Sequence, residues 1–518
     1  MNRRWLSWLG LALAFGGTAK AHVGSPDVFY DGLIGPYPAR ITIRMPGVVP
    51  GRAEISVRAQ TDRPVEVSFL PLFSKTAVTN APPPDLGQLV PGEKNLYSGE
   101  LWLMSFGAYS IAVRMRGEAG EGTVEIPVNS VATRQLPLPG YLGKLLLGLG
   151  ALLVLGGLGI VAAAARESAL APGVLPGPTE RRKGWRAGAL TAVIFALLLV
   201  GGRKWWSFEE TAFRRHLREG AWPDLAADVR VEGSQRILRL AVGEKASAPD
   251  HSIRLLPDHG KLIHLFLVRE GSRDAFGHLH PVRQGAKTFE VPLPPLPEGR
   301  YKIFCDLTFE QSGVSSTATN SVPLPAIPAA VAGAAALKSD PDDSWASYSA
   351  DIVPAATAAN PVCRLPGGEQ VEWKSHPPLR AKQDAALRFE VRDAAGHPVD
   401  LEPYMGMTSH AAVLRADGAI FSHLHPAGNF SMAAQSFFEA KLERETGAAD
   451  GMPADMDHSK MVHSKMGHGA NPGHSNSGVA SISLPYEFPA AGDYRIWVQF
   501  KINGQVMTAV FDATVAAK

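Results

Sequence analysis

The amino-acid sequence predicts a mainly β protein: three antiparallel β-sandwich domains accompanied by two transmembrane helices. Three observations lead there. Short alternating runs such as Arg40-Ile41-Thr42-Ile43-Arg44 and Glu54-Ile55-Ser56-Val57-Arg58 place apolar side chains on one face of an extended chain, each bounded by Pro or Gly. With 52 glycines and 41 prolines, turn signals recur too often for helical bundles. Two long uncharged runs, Leu145–Ala165 and Ala187–Gly202, interrupt that pattern. A chain of 518 residues exceeds one ordinary core, so several domains of roughly 100–150 residues are expected.

The elements follow in order. Arg3 and Arg4 precede the apolar run Trp5–Phe15, and Ala19-Lys20-Ala21 follows, the layout of a secretory signal peptide over residues 1–21. Residues 22–135 make the first exported sandwich. The 21 residues Leu145–Ala165 carry no charge and suffice to cross the ~30 Å hydrocarbon layer, so a first transmembrane helix is placed at 141–165. The 16 residues Ala187–Gly202 reach ~24 Å, and Trp185 with Trp205-Trp206 extends them as interfacial aromatics, giving a second helix at 187–204. The loop 166–186 between them carries Arg166, Arg181, Arg182, Lys183 and Arg186, as a cytoplasmic connection should. Arg203, Lys204, Arg214, Arg215 and Arg218 follow the second span, so the orientation rests on the exported N-terminus rather than on charge alone. A juxtamembrane helix is expected at 205–225, a second sandwich at 226–325, an Ala/Pro/Asp-rich linker at 326–360, and a last sandwich at 361–518 with an insertion at 444–478. The expected location is the cytoplasmic (inner) membrane, multi-pass, with the large domains on the periplasmic side and the lipid bilayer as a partner.

The last two sandwiches carry one repeated unit. His264-Leu265-Phe266-Leu267-Val268-Arg269 leads to Phe276-Gly277-His278-Leu279-His280-Pro281; its counterpart, His410-Ala411-Ala412-Val413-Leu414-Arg415, leads through Asp417-Gly418 to Phe421-Ser422-His423-Leu424-His425-Pro426. Both copies then reach a closing strand, Glu298-Gly299-Arg300-Tyr301 and Ala491-Gly492-Asp493-Tyr494. Asp417-Gly418 favours a two-residue hairpin turn, which sets His410 opposite His425 with His423 on the same face. His264 joins His278 and His280 if the longer loop of the first copy shifts the register by one or a bulge intervenes.

Imidazoles at i and i+2 of a strand, with a third from the neighbouring strand, make a donor set for Cu(II) or Zn(II). Met405 and Met407, just before His410, add thioether sulfur, which favours Cu(I) and ranks copper ahead of zinc. The bland alternative is a polar strand end whose histidines are hydrogen-bonded rather than ligated.

The insertion reads Met456-Asp457-His458-Ser459-Lys460-Met461-Val462-His463-Ser464-Lys465-Met466-Gly467-His468, a five-residue Met-x-His repeat in a segment too polar for its methionines to be core. It resembles the Met/His repeats of bacterial copper-resistance proteins, which implies capture and transfer of Cu(I). Cleavage after Ala21 leaves His22 first, and a terminal amine with its imidazole resembles the copper-chelating terminus of CopC-type carriers and copper oxygenases. His22 is the sole histidine of 22–135, so further imidazoles for such a brace are absent there. The sandwiches, of immunoglobulin- or cupredoxin-like pattern, resemble the YtkA-like and cupredoxin-like domains of exported copper proteins.

Other classes find less in the sequence. Lys+Arg 51 against Asp+Glu 49 leaves a net charge of +2, so no nucleic-acid partner is expected. No Gly-rich phosphate loop, nucleophile elbow or His-Glu-x-x-His helix occurs. Cys305 lacks a histidine beside it, against a blue-copper centre, and Cys305 and Cys363 allow one disulfide. The expectation is a membrane-anchored extracytoplasmic protein that captures, buffers or delivers copper, with copper donor or acceptor proteins of the envelope as partners. A binding role is expected ahead of an enzymatic one; a copper-dependent oxidase or oxygenase is the alternative, and a structural or adhesive envelope protein the second.

Overall fold

A computed structural model describes residues 27–61, 63–133, 136–219, 223–233, 235–243, 253–326, 340–348, 357, 361–374, 378–446 and 480–518. The expected signal peptide, His22 and the repeat holding Met456, His458, Met461, His463, Met466 and His468 lie outside them. The protein is mainly β, built of antiparallel sheets, with two long apolar helices.

In the first β region a five-stranded sheet runs in the order Val28–Ile34, Tyr37–Arg44, Gly51–Ala59, Leu96–Leu103, Gln88–Leu89. Its partner sheet holds Asp85–Leu86, Val65–Phe73, Gly107–Gly117 and Gly120–Ser130. The alternation read in the sequence sets the contact face: Ile41, Ile43, Ile55 and Val57 point inward and meet Phe69, Ile111 and Val113 in one core.

The two copies of the repeat each pair a sheet of the hairpin with a second sheet. In the first copy, His264–Arg269 lies between Ala275–Leu279 and Gly299–Phe309, and in the second, His410–Arg415 lies between Phe421–Leu424 and Gly492–Ile502. Both hairpin strands of the first copy are buried on two faces, which explains their nearly unbroken apolar reading. Leu265 and Leu267 enter the copy's own core, whereas Phe266 and Val268 join Phe276 and Phe304 against Ala412, Leu414, Phe421 and Trp497 of the other copy. Phe276 stacks on Trp497 at 4.8 Å and Phe304 on Phe421 at 4.2 Å between ring centroids. The histidines of both hairpins have the parity of this aromatic seam, so the packing that joins the copies also brings their histidines face to face.

Several expectations change. The stretch 326–360, read as a linker, contains the strand Ser344–Ser347, which extends the first hairpin's sheet beside Ala275–Leu279. Cys305 and Cys363 are both free and buried, in two different cores, so no bond joins them. A helix unseen in the sequence, Met432–Thr446, precedes the insertion; its Phe438 packs on Leu72, Ala108 and Ala112 of the first region. The loop after His425 is gripped by the first strand of the chain. Asp31 N–H donates to the Ala427 carbonyl at 3.0 Å, Phe29 N–H to Asn429 Oδ1 at 2.8 Å, and Asn429 Nδ2 to the Asp27 carbonyl at 2.9 Å. Gly428, at φ +154°, is required there because a Cβ would overlap the Phe29 carbonyl oxygen.

The helical unit stands by itself in residues 134–221. Helix α1, Gly140–Glu167, and helix α2, Pro178–Glu219, are both long and apolar enough to cross a membrane, with mean hydropathy 2.5 and 1.7 over their most apolar stretches. Gly184 approaches Ala162 and Gly157 approaches Phe195, small residues letting the two helices close on each other. Helix α2 is continuous where a separate juxtamembrane helix at 205–225 was expected, and the next strand begins at Leu225. It starts at Pro178, so Arg181, Arg182, Lys183 and Arg186 stand on its first turns rather than in a loop.

Candidate metal centre

Strand register gathers each triad. In the second copy Ala411 pairs with Leu424 and Ala412 with His423, which sets His410 opposite His425, the arrangement expected from the sequence, with Gly418 at φ +68° in the turn. In the first copy Leu265 pairs with Leu279 and Phe266 with His278, so His264 stands opposite His280. The loop of this hairpin is one residue longer and needs no bulge in the ladder; Arg273 absorbs the turn at φ +53°. The donor atoms of His264, His278 and His280 lie within 4.8 Å of one another, and so do those of His410, His423 and His425. Five of the six are buried, and His423 is half-buried.

The two triads form one cluster. Ring centroids of His264 and His423 are 5.4 Å apart, those of His278 and His423 5.5 Å, and those of His278 and His410 6.4 Å. On one side the seam closes it, with the Phe266 ring stacked at 4.2 Å on His278.

Hydrogen bonds fix which ring nitrogen carries the proton. His264 Nε2 is 3.1 Å from the Asp258 carbonyl and His410 Nε2 3.3 Å from the Tyr404 carbonyl; a carbonyl only accepts, so Nε2 donates and Nδ1 keeps its lone pair in both. His278 Nδ1 donates to Gln499 Oε1 at 2.9 Å, His423 Nδ1 lies 3.3 Å from Asp306 Oδ2, and His280 Nδ1 lies 2.9 Å from Asp343 Oδ1. The bonds of His278 and His280 leave their Nε2 bare. Consequently His264 Nδ1 faces His278 Nε2 at 3.1 Å as opposed lone pairs, and His410 Nδ1 lies 3.2 Å from His423 Nε2. Opposed lone pairs repel unless a cation sits between them. Burial makes a proton a poor candidate: it pushes His264 down to about 4, and holds His278, His280, His410 and His425 well below the ordinary histidine value, their neighbours' charges adding to the effect. A metal ion fits, since it binds neutral imidazole and relieves the same repulsion. His280 Nε2 and both ring nitrogens of His425 have no hydrogen-bond partner among the described residues.

Beyond the imidazoles stands a carboxylate group. Asp343 accepts both the N–H and Nδ1–H of His280, and with Asp340 it completes a third set of close donors. Burial raises the Asp343 carboxyl to about 7. Carboxylate–imidazole pairing of this kind fixes the tautomer of a metal-ligating histidine.

Met405 and Met407 flank Gly406 in a tight turn closed by reciprocal Tyr404–Met407 backbone bonds. Met405 is buried and Met407 half-buried, yet the residue this turn lays on His410 is Tyr404, 5.0 Å between rings. The sequence reading missed His259. It occupies the equivalent turn, Asp258-His259-Gly260-Lys261, whose first residue is six before His264 as Tyr404 is six before His410, and that shared offset was the available signal.

A family described as "Domain of unknown function (DUF8832)" matches residues 364–517. No curated protein matches the chain. Among solved structures the chain is similar to an endo-fucoidan hydrolase from glycoside hydrolase family 107, at 8% identity and TM-score 0.15, covering 92% of this chain and 43% of that one. It is similar also to red sea bream transglutaminase, at 8% identity and TM-score 0.15 over 60% and 34% of the two chains, and to titin domains in complex with telethonin, at 11% identity and TM-score 0.11 over 57% and 97%. The chain thus spans less than half the length of the first two.

Proposed function

We propose that this is a membrane-anchored, extracytoplasmic copper-binding protein in which the two histidine triads hold a pair of copper ions between the repeats. The observation that carries it is the buried contact of His264 Nδ1 with His278 Nε2 at 3.1 Å, two imidazole lone pairs opposed, beside the matching contact of His410 with His423 at 3.2 Å. Imidazole triads accept copper or zinc. Copper is favoured by the Met/His repeat at 456–468, a supply of thioether donors that zinc does not use. In this reading the repeat captures Cu(I), and the buried triads are a separate copper store that supplies envelope partners. Two spans would return both β regions to the same side of the inner membrane, the periplasmic side.

A second reading, a copper-dependent oxidase or oxygenase, is favoured by one observation. Two triads whose rings approach to 5.4 Å would place two one-electron ions close enough to act together, and their burial suits a resident centre better than an exchangeable one. Metal analysis of the detergent-solubilised chain, loaded separately with Cu(I), Cu(II) and Zn(II), tests the binding. Two tightly held copper ions per chain are expected; zinc bound in preference, or no metal retained, overturns the proposal. Oxygen uptake by the copper-loaded protein with a reductant separates the second reading from the first. Reporter fusions after Asn129 and Ala227 should both report export, and a cytoplasmic result at Ala227 overturns the topology.

A further inference from the structure

We infer that His259 is a fourth imidazole ligand of the second triad, donated across the boundary between the repeats, so that His259, His410, His423 and His425 bind one divalent ion. The inference rests on the reading that the second triad holds a metal.

His259 belongs to the first repeat by sequence and to the second triad by position. Its ring lies 5.1 Å from that of His425 and 5.2 Å from that of His410, but 6.2 Å from His264 of its own repeat. Those spacings fall within the range of the second triad itself, whose rings are 4.4, 4.8 and 5.4 Å apart. The side chain is only 9% exposed, and Nε2 has no hydrogen-bond partner among the described residues. Its nearest charged neighbour, Asp258 Oδ1 at 3.5 Å, is itself without a hydrogen bond, although Asp258 Oδ2 accepts from Ser431. One ring nitrogen is thus bare beside an unsatisfied carboxylate oxygen, while the ring's hydrogen bond to the Met405 backbone ties it to the second repeat.

The backbone supports the same reading. His259 sits at φ +50°, a left-handed conformation uncommon for a side chain of its size, followed by Gly260 at φ +79°. The equivalent turn repeats both values, Met405 at φ +49° and Gly406 at φ +80°, so the geometry is a property of the repeat. At this position one copy carries imidazole and the other thioether, which makes the two copies unequal donors. With His259 the second centre has four nitrogens and no sulfur, a set that suits Cu(II) or Zn(II) over Cu(I). An ion held this way is bonded to both repeats at once.

The test uses the full chain in detergent, stripped of metal and titrated with Cu(II) against a competing chelator. His259→Asn keeps the left-handed turn, which Asn tolerates, and removes the imidazole. The wild type should bind two ions. The variant should hold one of them unchanged and lose affinity for the other by more than the roughly 10–100-fold that removal of an outer partner costs. The nitrogen hyperfine pattern of the weakened ion should lose one nitrogen. His259→Gly, which frees the backbone, should regain the affinity when free imidazole is added. Two ions bound by the variant with unchanged affinity, or both weakened equally without imidazole rescue, overturn the role of His259. A wild type that binds no ion overturns the parent reading instead.

Discussion

Asp306 and Gln499 stand at the same position of the two repeats, and each reaches the middle histidine of the other. On its own strand Asp306 pairs with His264 and Gln499 with His410. Their side chains cross: Gln499 accepts from His278, and Asp306 lies 3.3 Å from His423 Nδ1. The middle histidine of each triad therefore meets the repeat that does not contain it, while His264 and His410 are held by carbonyls of their own repeats.

Substituting Gln499 by Leu should consequently weaken metal binding at His264, His278 and His280, by roughly 10–100-fold, and leave the triad of its own repeat nearly intact. Asp306→Asn should do the reverse. Chelator competition on the two variants reads the pattern, and losses confined to the substituted repeat would show that the crossed bonds do not orient the ligands.

Replacing His423 and His425 together by Ala should remove one bound copper per chain. The backbone bonds of His425 to Gly428 survive the change to Ala, and its ring nitrogens have no hydrogen-bond partner among the described residues, so the far-ultraviolet spectrum should persist. Unchanged stoichiometry would favour hydrogen-bonded histidines.

Without metal the protein should lose stability as the pH falls from about 6.5 towards 4. His264 is held near 4, below the 6.5 of an unfolded chain, so in that window the unfolded state binds a proton that the folded state refuses. The contribution is complete above 6.5 and amounts to about 3 kcal/mol for His264, with His278, His280, His410 and His425 acting in the same direction. Asp343, raised to about 7, opposes it, its share being lost as the pH rises through that value. Urea midpoints of the stripped protein at pH 7.5 and 5 measure the balance; equal midpoints would mean that the histidines are not desolvated.

Deleting residues 450–477 should lower Cu(I) capacity most near pH 5, because thioether keeps its lone pairs where imidazole gains a proton. The urea midpoint should not move. A deletion variant that binds as much Cu(I) as the intact chain at that pH reduces the tract to a spacer.

Six histidines of the cluster were legible because strand side chains repeat every two residues and the motif occurs twice. That the triads merge was not legible in the histidines themselves. It depends on Phe266, Phe276, Phe421 and Trp497 packing across the repeats, and the clue was a strand, His264–Arg269, apolar on both faces. His259 escaped because its counterpart is Met405, so the two turns share a backbone shape and not a side chain. Asp343 escaped because Ser344–Ser347 is too short to show alternation amid alanines and prolines. The helix Met432–Thr446 was obscured by the low-complexity tract that follows it.

The grip of the first strand on the loop Ala427-Gly428-Asn429 bears on how this molecule can change over evolutionary time. Those three residues lie two to four positions beyond His425, and polar groups of Ala427 and Asn429 are satisfied by Asp27, Phe29 and Asp31, some four hundred residues earlier. The N-terminal β region is thus no interchangeable module. A lineage that lost it, or exchanged it for another sandwich, would strip the loop behind His425 of its partners. Residue 428 and the strand at 29–31 should drift together or not at all.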